Sequence, residues 1–131
     1  MLDQKEAKRI AEPVVRQVVN CIADKRYADL SAYASFSENG IKSLEYFIEC
    51  VEGFLEINNF PYIDKFEAPC NFHPQYEYEQ LSVYPYRDGT GFAVDYDLTT
   101  DSELNDLTLQ MAFLWTQSHQ MQAFILDAHI L

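Results

Sequence analysis

The sequence predicts an α+β fold in which N-terminal helices pack on one face of a curved antiparallel meander sheet. Apolar residues recur at helical spacing in the first half of the chain, and residues 107–115 and 124–130 alternate between apolar and polar types, as half-buried strands do. An Asp88-Gly89 dipeptide separates two further β-like runs. With 131 residues, 48% of them hydrophobic, the chain is long enough for one core, so we expect a single domain over residues 1–131.

The first half of the chain predicts three helices followed by a loop. Residues 4–25 carry one apolar stripe, formed by Ile10, Val14, Val18, Cys21 and Ile22. Because Pro13 lacks a backbone N–H and clashes with the preceding turn, we expect a kink there or a helix that starts near Glu12. A short helix is expected over residues 27–36, and a third helix has one face made of Ile41, Leu44, Ile48, Val51 and Leu55. Residues 58–74 contain three prolines and predict a loop that packs on the protein.

The Asp88-Gly89 dipeptide sets the register of the first hairpin. It favours a two-residue type I′ turn, because both central positions of that turn need positive φ. The resulting strand pairs are apolar on both sides, namely Leu81 with Tyr96 and Val83 with Val94. If residues 91–98 also pair antiparallel with the next strand, the core face of the sheet gains Phe92, Val94, Tyr96 and Leu98.

A second two-residue turn, placed at Ser118-His119, sets the register of the last two strands. It pairs Leu109 with Ala128 and Phe113 with Phe124. One face is then almost wholly apolar, and we expect the helices to cover it: Leu107, Leu109, Met111, Phe113, Trp115, Phe124, Leu126, Ala128 and Ile130. A shift of one residue would destroy this match.

The opposite face of the predicted sheet is half polar and half apolar. The polar half holds Thr108 and Gln110 together with a possible partner face made of Asp95, Asp97, Asp127 and His129. The apolar half is a candidate homodimer patch made of Ala112, Leu114, Ala123 and Ile125. Both features can also be explained without a binding function. Scattered aliphatic side chains are normal on protein surfaces, and acidic residues at strand ends keep the surface soluble.

Composition narrows the classes of partner. A formal net charge of −12 and a pI near 4.4 oppose binding to nucleic acid and to anionic membranes, whereas a basic protein partner is compatible with them. Cys21, Cys50 and Cys70 are odd in number and lack C-x-x-C spacing, and no signal peptide or membrane span is visible, so we expect a soluble cytoplasmic protein. No metal or cofactor site is predicted, because His73 and His119 lie in loops and no ligand spacing recurs.

The order of helices followed by a meander resembles the cystatin-like α+β cone of the nuclear transport factor 2-like superfamily. More locally, Asn105-Asp106-Leu107-Thr108-Leu109 and the later Asp127-Ala128-His129 resemble an uncharacterised bacterial family of that fold, with a (Ser/Asn)-Asp-Leu-Thr-Leu strand and a terminal Asp-x-His strand. The resemblance implies a bacterial protein with a space between sheet and helices. It implies no activity, because the superfamily includes isomerases, dehydratases, polyketide cyclases and non-catalytic binding proteins.

Two pairs of residues are candidates for catalysis. Asp127 and His129 lie two apart on a strand and could form a carboxylate-imidazole base, but the register places them away from the helices, where we expect no pocket. Glu79 and Tyr96 are expected to face inward, where a buried carboxyl of raised pKa beside a tyrosine hydroxyl could act as an acid or base. Tyr96 is equally compatible with a core aromatic, and Glu79 with a solvated sheet margin.

Tyr76, Tyr78, Tyr84 and Tyr86 could form a platform for stacking bases or sugars, although strand packing explains these tyrosines better in so acidic a chain. We therefore expect a non-enzymatic binding protein that dimerises through its sheet. An immunity-like role, in which an acidic face that includes Asp101, Glu103 and Asp106 neutralises a basic partner, is one specific version. The alternative is a small-molecule enzyme or carrier of the isomerase, dehydratase or cyclase type, with Glu79 and Tyr96 in an inner cavity.

Overall fold

The computed structural model describes residues 2–69 and 79–130 and has an α+β architecture. The elements in chain order are helix α1 (Gln4–Ala23), a 3-10 helix (Tyr27–Ala32), strand β1 (Ser35–Phe36), helix α2 (Leu44–Asn58), and strands β2 (Leu81–Pro85), β3 (Gly91–Thr100), β4 (Glu103–Trp115) and β5 (Met121–Ile130). Cys70, His73, Tyr76 and Tyr78 lie outside the described residues.

The sheet is open and mixed, with strand order β1-β5-β4-β3-β2. Strands β2 to β5 form the predicted antiparallel meander. The prediction of an all-antiparallel sheet is wrong at one edge, because β1 pairs parallel with β5 and places Ser35 beside Phe124 and Phe36 beside Ile125. Two residues are too few to show an alternating pattern, so this strand left no periodic signal in the sequence.

Helix α1 begins earlier than Pro13 suggested. The Asp3 side chain caps it by accepting a hydrogen bond from the Glu6 N–H at 2.8 Å, and the helix runs through Pro13. Pro13 has no N–H to donate to the Arg9 carbonyl one turn earlier. Both residues lie on the exposed side of the helix, so water can hydrogen-bond to that carbonyl instead. The buried stripe consists of Ala7, Ala11, Val15, Val18, Val19, Cys21 and Ile22.

Helix α2 begins after Ser43, whose hydroxyl accepts from the Tyr46 N–H at 3.1 Å, and ends before Asn59, which is left-handed with φ of 57°. Its buried residues are Phe47, Val51 and Leu55. The described part of the following loop, residues 59–69, packs on the protein as predicted, because Ile63 and Phe66 are buried and the Asp64 N–H donates to the Thr99 carbonyl at 2.8 Å.

The predicted register of the first hairpin is confirmed, although its turn type is wrong. Leu81 pairs with Tyr96 and Val83 with Val94. The Tyr86 N–H donates to the Gly91 carbonyl at 2.9 Å, so four residues form the loop, and only Gly89 of its two central residues has positive φ. A two-residue and a four-residue loop centred on the same dipeptide give the same strand pairs, which explains why the register survives.

The predicted register of the second hairpin is right at one end and wrong at the other. The Thr116 N–H donates to the Gln120 carbonyl at 2.7 Å across a three-residue loop, in which His119 is left-handed with φ of 59°. Phe113 therefore pairs with Ala123. A β-bulge at Leu126 then restores the predicted register from Gln110 to Leu107.

Because of this one-residue shift, the side chains of β5 near the turn lie on the face opposite to the one predicted for them. Ile125 is fully buried in the core, whereas Phe124 lies on the outer face beside Ala112. Trp115 and Ile130, which we also expected in the core, are 41% and 62% exposed at the ends of their strands. A single inserted residue reverses every side chain beyond it, so the alternation alone located only part of the core face.

The remainder of the inner face packs against the helices as predicted. The largest fully buried side chains there include Phe92, Tyr96, Leu109, Met111 and Phe113. Phe92 stacks on Phe113 with ring centroids 4.9 Å apart, and Tyr96 stacks on Phe66 at 5.0 Å. Across residues 2–69 and 79–130, no helix is both long enough and apolar enough to cross a bilayer.

Candidate functional site

The outer face of the sheet carries two adjacent rows of polar side chains. Asp95, Gln110 and Asp127 pair directly across β3, β4 and β5. Asp97, Thr108 and His129 form the next row of the same face. Neighbouring strands lie about 4.8 Å apart and alternate residues about 6.8 Å apart, so these six side chains occupy one continuous area. We call it the polar outer face.

Hydrogen bonds hold the carboxylates of β3 in place. The Gln110 Nε2 donates to Asp95 Oδ1 at 3.2 Å, and the Thr108 hydroxyl donates to Asp97 Oδ1 at 3.1 Å. Asp95 and Asp97 are half-buried, so the acidic groups are oriented before any partner arrives. Orientation in advance lowers the entropy cost of binding.

Asp127 and His129 are in contact, as their spacing predicted. Asp127 Oδ1 accepts from the Ala128 N–H at 2.8 Å, and its Oδ2 lies 2.9 Å from His129 Nδ1. The distance between Oδ2 and Nδ1 suits an ion pair when the His129 ring is protonated. The orientation of the two groups does not meet the geometry of a hydrogen bond, and Nδ1 is shielded from solvent. The contact therefore lacks the hydrogen-bonded geometry of a carboxylate that orients a catalytic imidazole.

An open groove of about 730 Å³ borders the polar outer face on the β5 side. We call it the α2 groove, and its lining residues are Asn39, Gly40, Ile41, Lys42, Ser43, Tyr46, Gln110, Leu126 and Asp127. The Ile41 N–H donates to the Leu126 carbonyl at 2.8 Å, which holds the preceding loop against the bulge of β5. Burial and the nearby Asp127 both raise the pKa of the Cys50 thiol, so α2 lies close to this carboxylate.

The α2 groove contradicts the expectation that no pocket lies beside Asp127. The sequence signal was weak, because the turn residues before Ile41 predict a loop but do not predict which strand that loop crosses. The crossing depends on the parallel β1–β5 pair, which periodicity missed.

A second open pocket, of about 400 Å³, borders the polar outer face where β5 ends at Ile130. We call it the end pocket, and its lining residues are Asp97, Leu98, Leu104, Asp106, Leu107, Thr108 and Ile130. Leu104 and Ile130 are 44% and 62% exposed, so apolar surface is accessible there. The end pocket shares Asp97 and Thr108 with the polar outer face.

Charge is distributed unevenly along the chain. The segment from Gly91 to Ile130 contains six carboxylates and no lysine or arginine. The cations of the ion pairs among residues 2–69 and 79–130, apart from His129, are Lys25, Arg26 and Lys65, all in the first half of the chain. The segment that forms the last three strands therefore supplies no lysine or arginine of its own to balance its carboxylates.

The structure does not bring Glu79 and Tyr96 together. Glu79 is exposed and lines a surface groove with Lys5 and Lys8 of α1, and the residues of that groove do not include Tyr96. The expectation that Glu79 faces inward is wrong, because β2 begins only at Leu81 and the register does not extend to it. Tyr96 is 1% exposed, and its hydroxyl accepts from the Glu67 N–H at 2.8 Å.

The predicted dimer patch is divided between the two faces. Ala112 and Leu114 belong to the outer face, but the shifted register turns Ala123 and Ile125 inward. Phe124 takes their place in the outer row beside Ala112. The outer apolar area is therefore smaller than predicted.

Within the described ranges, no group of three or more His, Cys, Asp or Glu side chains has a geometry that could hold a metal ion.

The model of a family described as a domain of unknown function, DUF7668, matches residues 19–131, so the chain belongs to that family. No curated protein and no solved structure matches the chain.

Proposed function

We propose that this family member is a non-enzymatic binding protein that holds a basic protein partner on its polar outer face. One observation carries the proposal: two half-buried carboxylates, Asp95 and Asp127, lie on either side of Gln110 in one row of a face to which β3, β4 and β5 contribute no lysine or arginine. Acidic faces of this kind attract basic partners and exclude acidic ones.

The inner side of the sheet supports this proposal over the alternative of an enzyme or carrier. Tyr96, Leu109 and Phe113, which line the space where a cavity would lie, are at most 1% exposed and pack closely. Glu79, the general acid that this alternative assigns to that space, is exposed outside it.

We extend this proposal to the fold family, the cellular setting, the kind of partner and the oligomeric state. We propose a nuclear transport factor 2-like cone on the order of its elements and a bacterial origin on the resemblance of its motifs. The cytoplasmic setting is proposed on the odd number and irregular spacing of its cysteines. An immunity-like role, in which the partner is a basic toxin, fits the charge of the face. Homodimerisation through the sheet, at the outer apolar area around the half-buried Leu114, is a further part. Light scattering of the wild-type protein and of Leu114→Arg tests it, because a monomeric wild-type protein excludes this interface.

The binding proposal is tested with a lysine-rich probe peptide of alternating Lys and Ser, followed by amide NMR titration. Asp95→Asn combined with Asp127→Asn should weaken binding about fivefold, because exposed ion pairs contribute about 0.2–1 kcal/mol each. The matched control combines Glu6→Gln with Glu56→Gln, which removes the same charge from exposed positions on the helices. Equal weakening in both double variants would show that net charge alone attracts the peptide, and the proposed face would then be wrong.

A further inference from the structure

The end pocket is built by an irregularity of the sheet. Asp97 pairs with Thr108 and Thr99 pairs with Leu104, so one residue of β3 lies opposite three residues of β4. The backbone ladder is interrupted there, and the end pocket occupies the interruption. Bulges are frequent next to binding sites, because they change the direction of side chains and open the pairing between strands.

A buried side chain stabilises this bulge. Asn105 is 5% exposed, its Oδ1 accepts from the Leu107 N–H at 3.0 Å, and its Nδ2 donates to the Thr100 hydroxyl at 3.0 Å. That hydroxyl donates in turn to the Tyr62 carbonyl at 2.8 Å. The Leu107 N–H thus has a partner inside the bulge, and the buried Asn105 side chain ties the bulge to Thr100, so side-chain hydrogen bonds support the end pocket.

The two short motifs singled out in the sequence meet at this position. Leu107 pairs with Ile130, and Thr108 pairs with His129, so the start of β4 and the end of β5 form one wall. The accessible aliphatic surface of the pocket comes from Leu104 and Ile130, since Leu98 and Leu107 are buried in the core beneath it, and its acidic lining residues are Asp97 and Asp106. A pocket that combines aliphatic surface with carboxylates suits a ligand in which an apolar side chain has positively charged neighbours.

We propose that the end pocket receives one aliphatic side chain of the basic partner on Leu104 and Ile130. The exposed carboxylate of Asp106 then holds a lysine or arginine that neighbours this side chain in the partner sequence. This inference rests on the proposed function and adds a specificity element to it. The volume of about 400 Å³ is within the range of about 300–1,000 Å³ that is usual for small-ligand sites. A buried apolar anchor surrounded by polar contacts is the arrangement that dominates the energy of many protein interfaces.

The experiment compares two probe peptides that differ at one residue, Ser-Lys-Ser-Lys-Ser and Ser-Lys-Leu-Lys-Ser. Both carry the same charge, so only the leucine reports on the end pocket. We expect the leucine peptide to bind about tenfold more tightly in an amide NMR titration, with its largest shifts at Leu104 and Ile130. Leu104→Ser combined with Ile130→Ser should abolish that gain and leave the binding of the serine peptide unchanged. Ile57→Ser is the control, because Ile57 is 83% exposed on α2.

The outcomes separate this inference from the proposed function. Equal affinity for the two peptides overturns the aliphatic anchor and leaves the acidic face standing, provided that the carboxylate variants weaken both peptides. A leucine gain that persists in the Leu104/Ile130 double variant also overturns the anchor, because the leucine is then bound elsewhere. Binding of the leucine peptide alone, insensitive to Asp95→Asn and Asp127→Asn, supports the anchor and refutes the acidic face.

Discussion

Gly40→Ala tests whether the loop before α2 is held against β5, as the α2 groove requires. A Cβ atom at Gly40 would lie 2.6 Å from the Leu126 Cα and 2.7 Å from the Leu126 carbonyl oxygen. Both are backbone atoms, so no rotamer change can relieve the clash, and the two segments must move apart by about 0.8 Å to reach ordinary contact at 3.4 Å. The hydrogen bond from the Ile41 N–H to the Leu126 carbonyl, now 2.8 Å, would lengthen or break.

The expected loss in the free energy of unfolding is about 2–3 kcal/mol. A net hydrogen bond contributes about 0.5–1.5 kcal/mol, and overpacking costs about 1–3 kcal/mol. Urea unfolding followed by circular dichroism measures the difference, and the slope of the transition shows whether it stays two-state.

The matched control is Gly53→Ala in α2. An added Cβ at Gly53 meets nothing within 4 Å, so the substitution should stabilise the protein by about 0.5–1 kcal/mol through helix propensity. If Gly40→Ala leaves the free energy of unfolding within about 0.5 kcal/mol of the wild type, the range usual for surface substitutions, then the loop is not held against β5 and the α2 groove is described wrongly.

Three further predictions concern the elements around the site. Burial, the nearby charge of Glu52 and the hydrogen bond to Glu52 raise the pKa of Tyr27. Its contribution to stability is therefore fully present below the unfolded-state pKa of about 10 and is lost as the pH rises from there through the raised pKa of the folded state. Tyr27→Phe should cost about 1 kcal/mol at neutral pH and flatten the alkaline decline of stability measured by urea unfolding. Burial, followed by the charge of Asp127, raises the pKa of the Cys50 thiol. Asp127→Asn should therefore lower this pKa and speed the alkylation of Cys50 at neutral pH. An unchanged pH–rate profile would contradict the proximity of Asp127 and Cys50. Asn105→Ala leaves a buried N–H of β4 without its partner and should cost about 2 kcal/mol, whereas a neutral effect would show that the bulge needs no support.

Predictions from the sequence succeeded where one local rule decided the outcome. The pairs Leu81–Tyr96 and Val83–Val94 followed from the position of a single turn dipeptide, and they hold although the turn type differs. The polar outer face was also predicted, because residues two apart on a strand share a face wherever the register is regular. The prediction failed at Phe124 and Ile125, where a bulge adds one residue to β5.

The residue pattern by itself determined the order of the two long helices and the four long strands, most of the inner face of β2, β3 and β4, and the acidic character of the outer face. These follow from side-chain periodicity and charge, which are local properties of the chain. Only the tertiary structure decided that Gly40 and Leu126 touch, that Leu98, Leu104 and Ile130 share one pocket, and that Glu79 stays outside the core. Each of these depends on a bulge, a strand edge or a loop crossing, and such contacts between distant residues leave no period in the sequence.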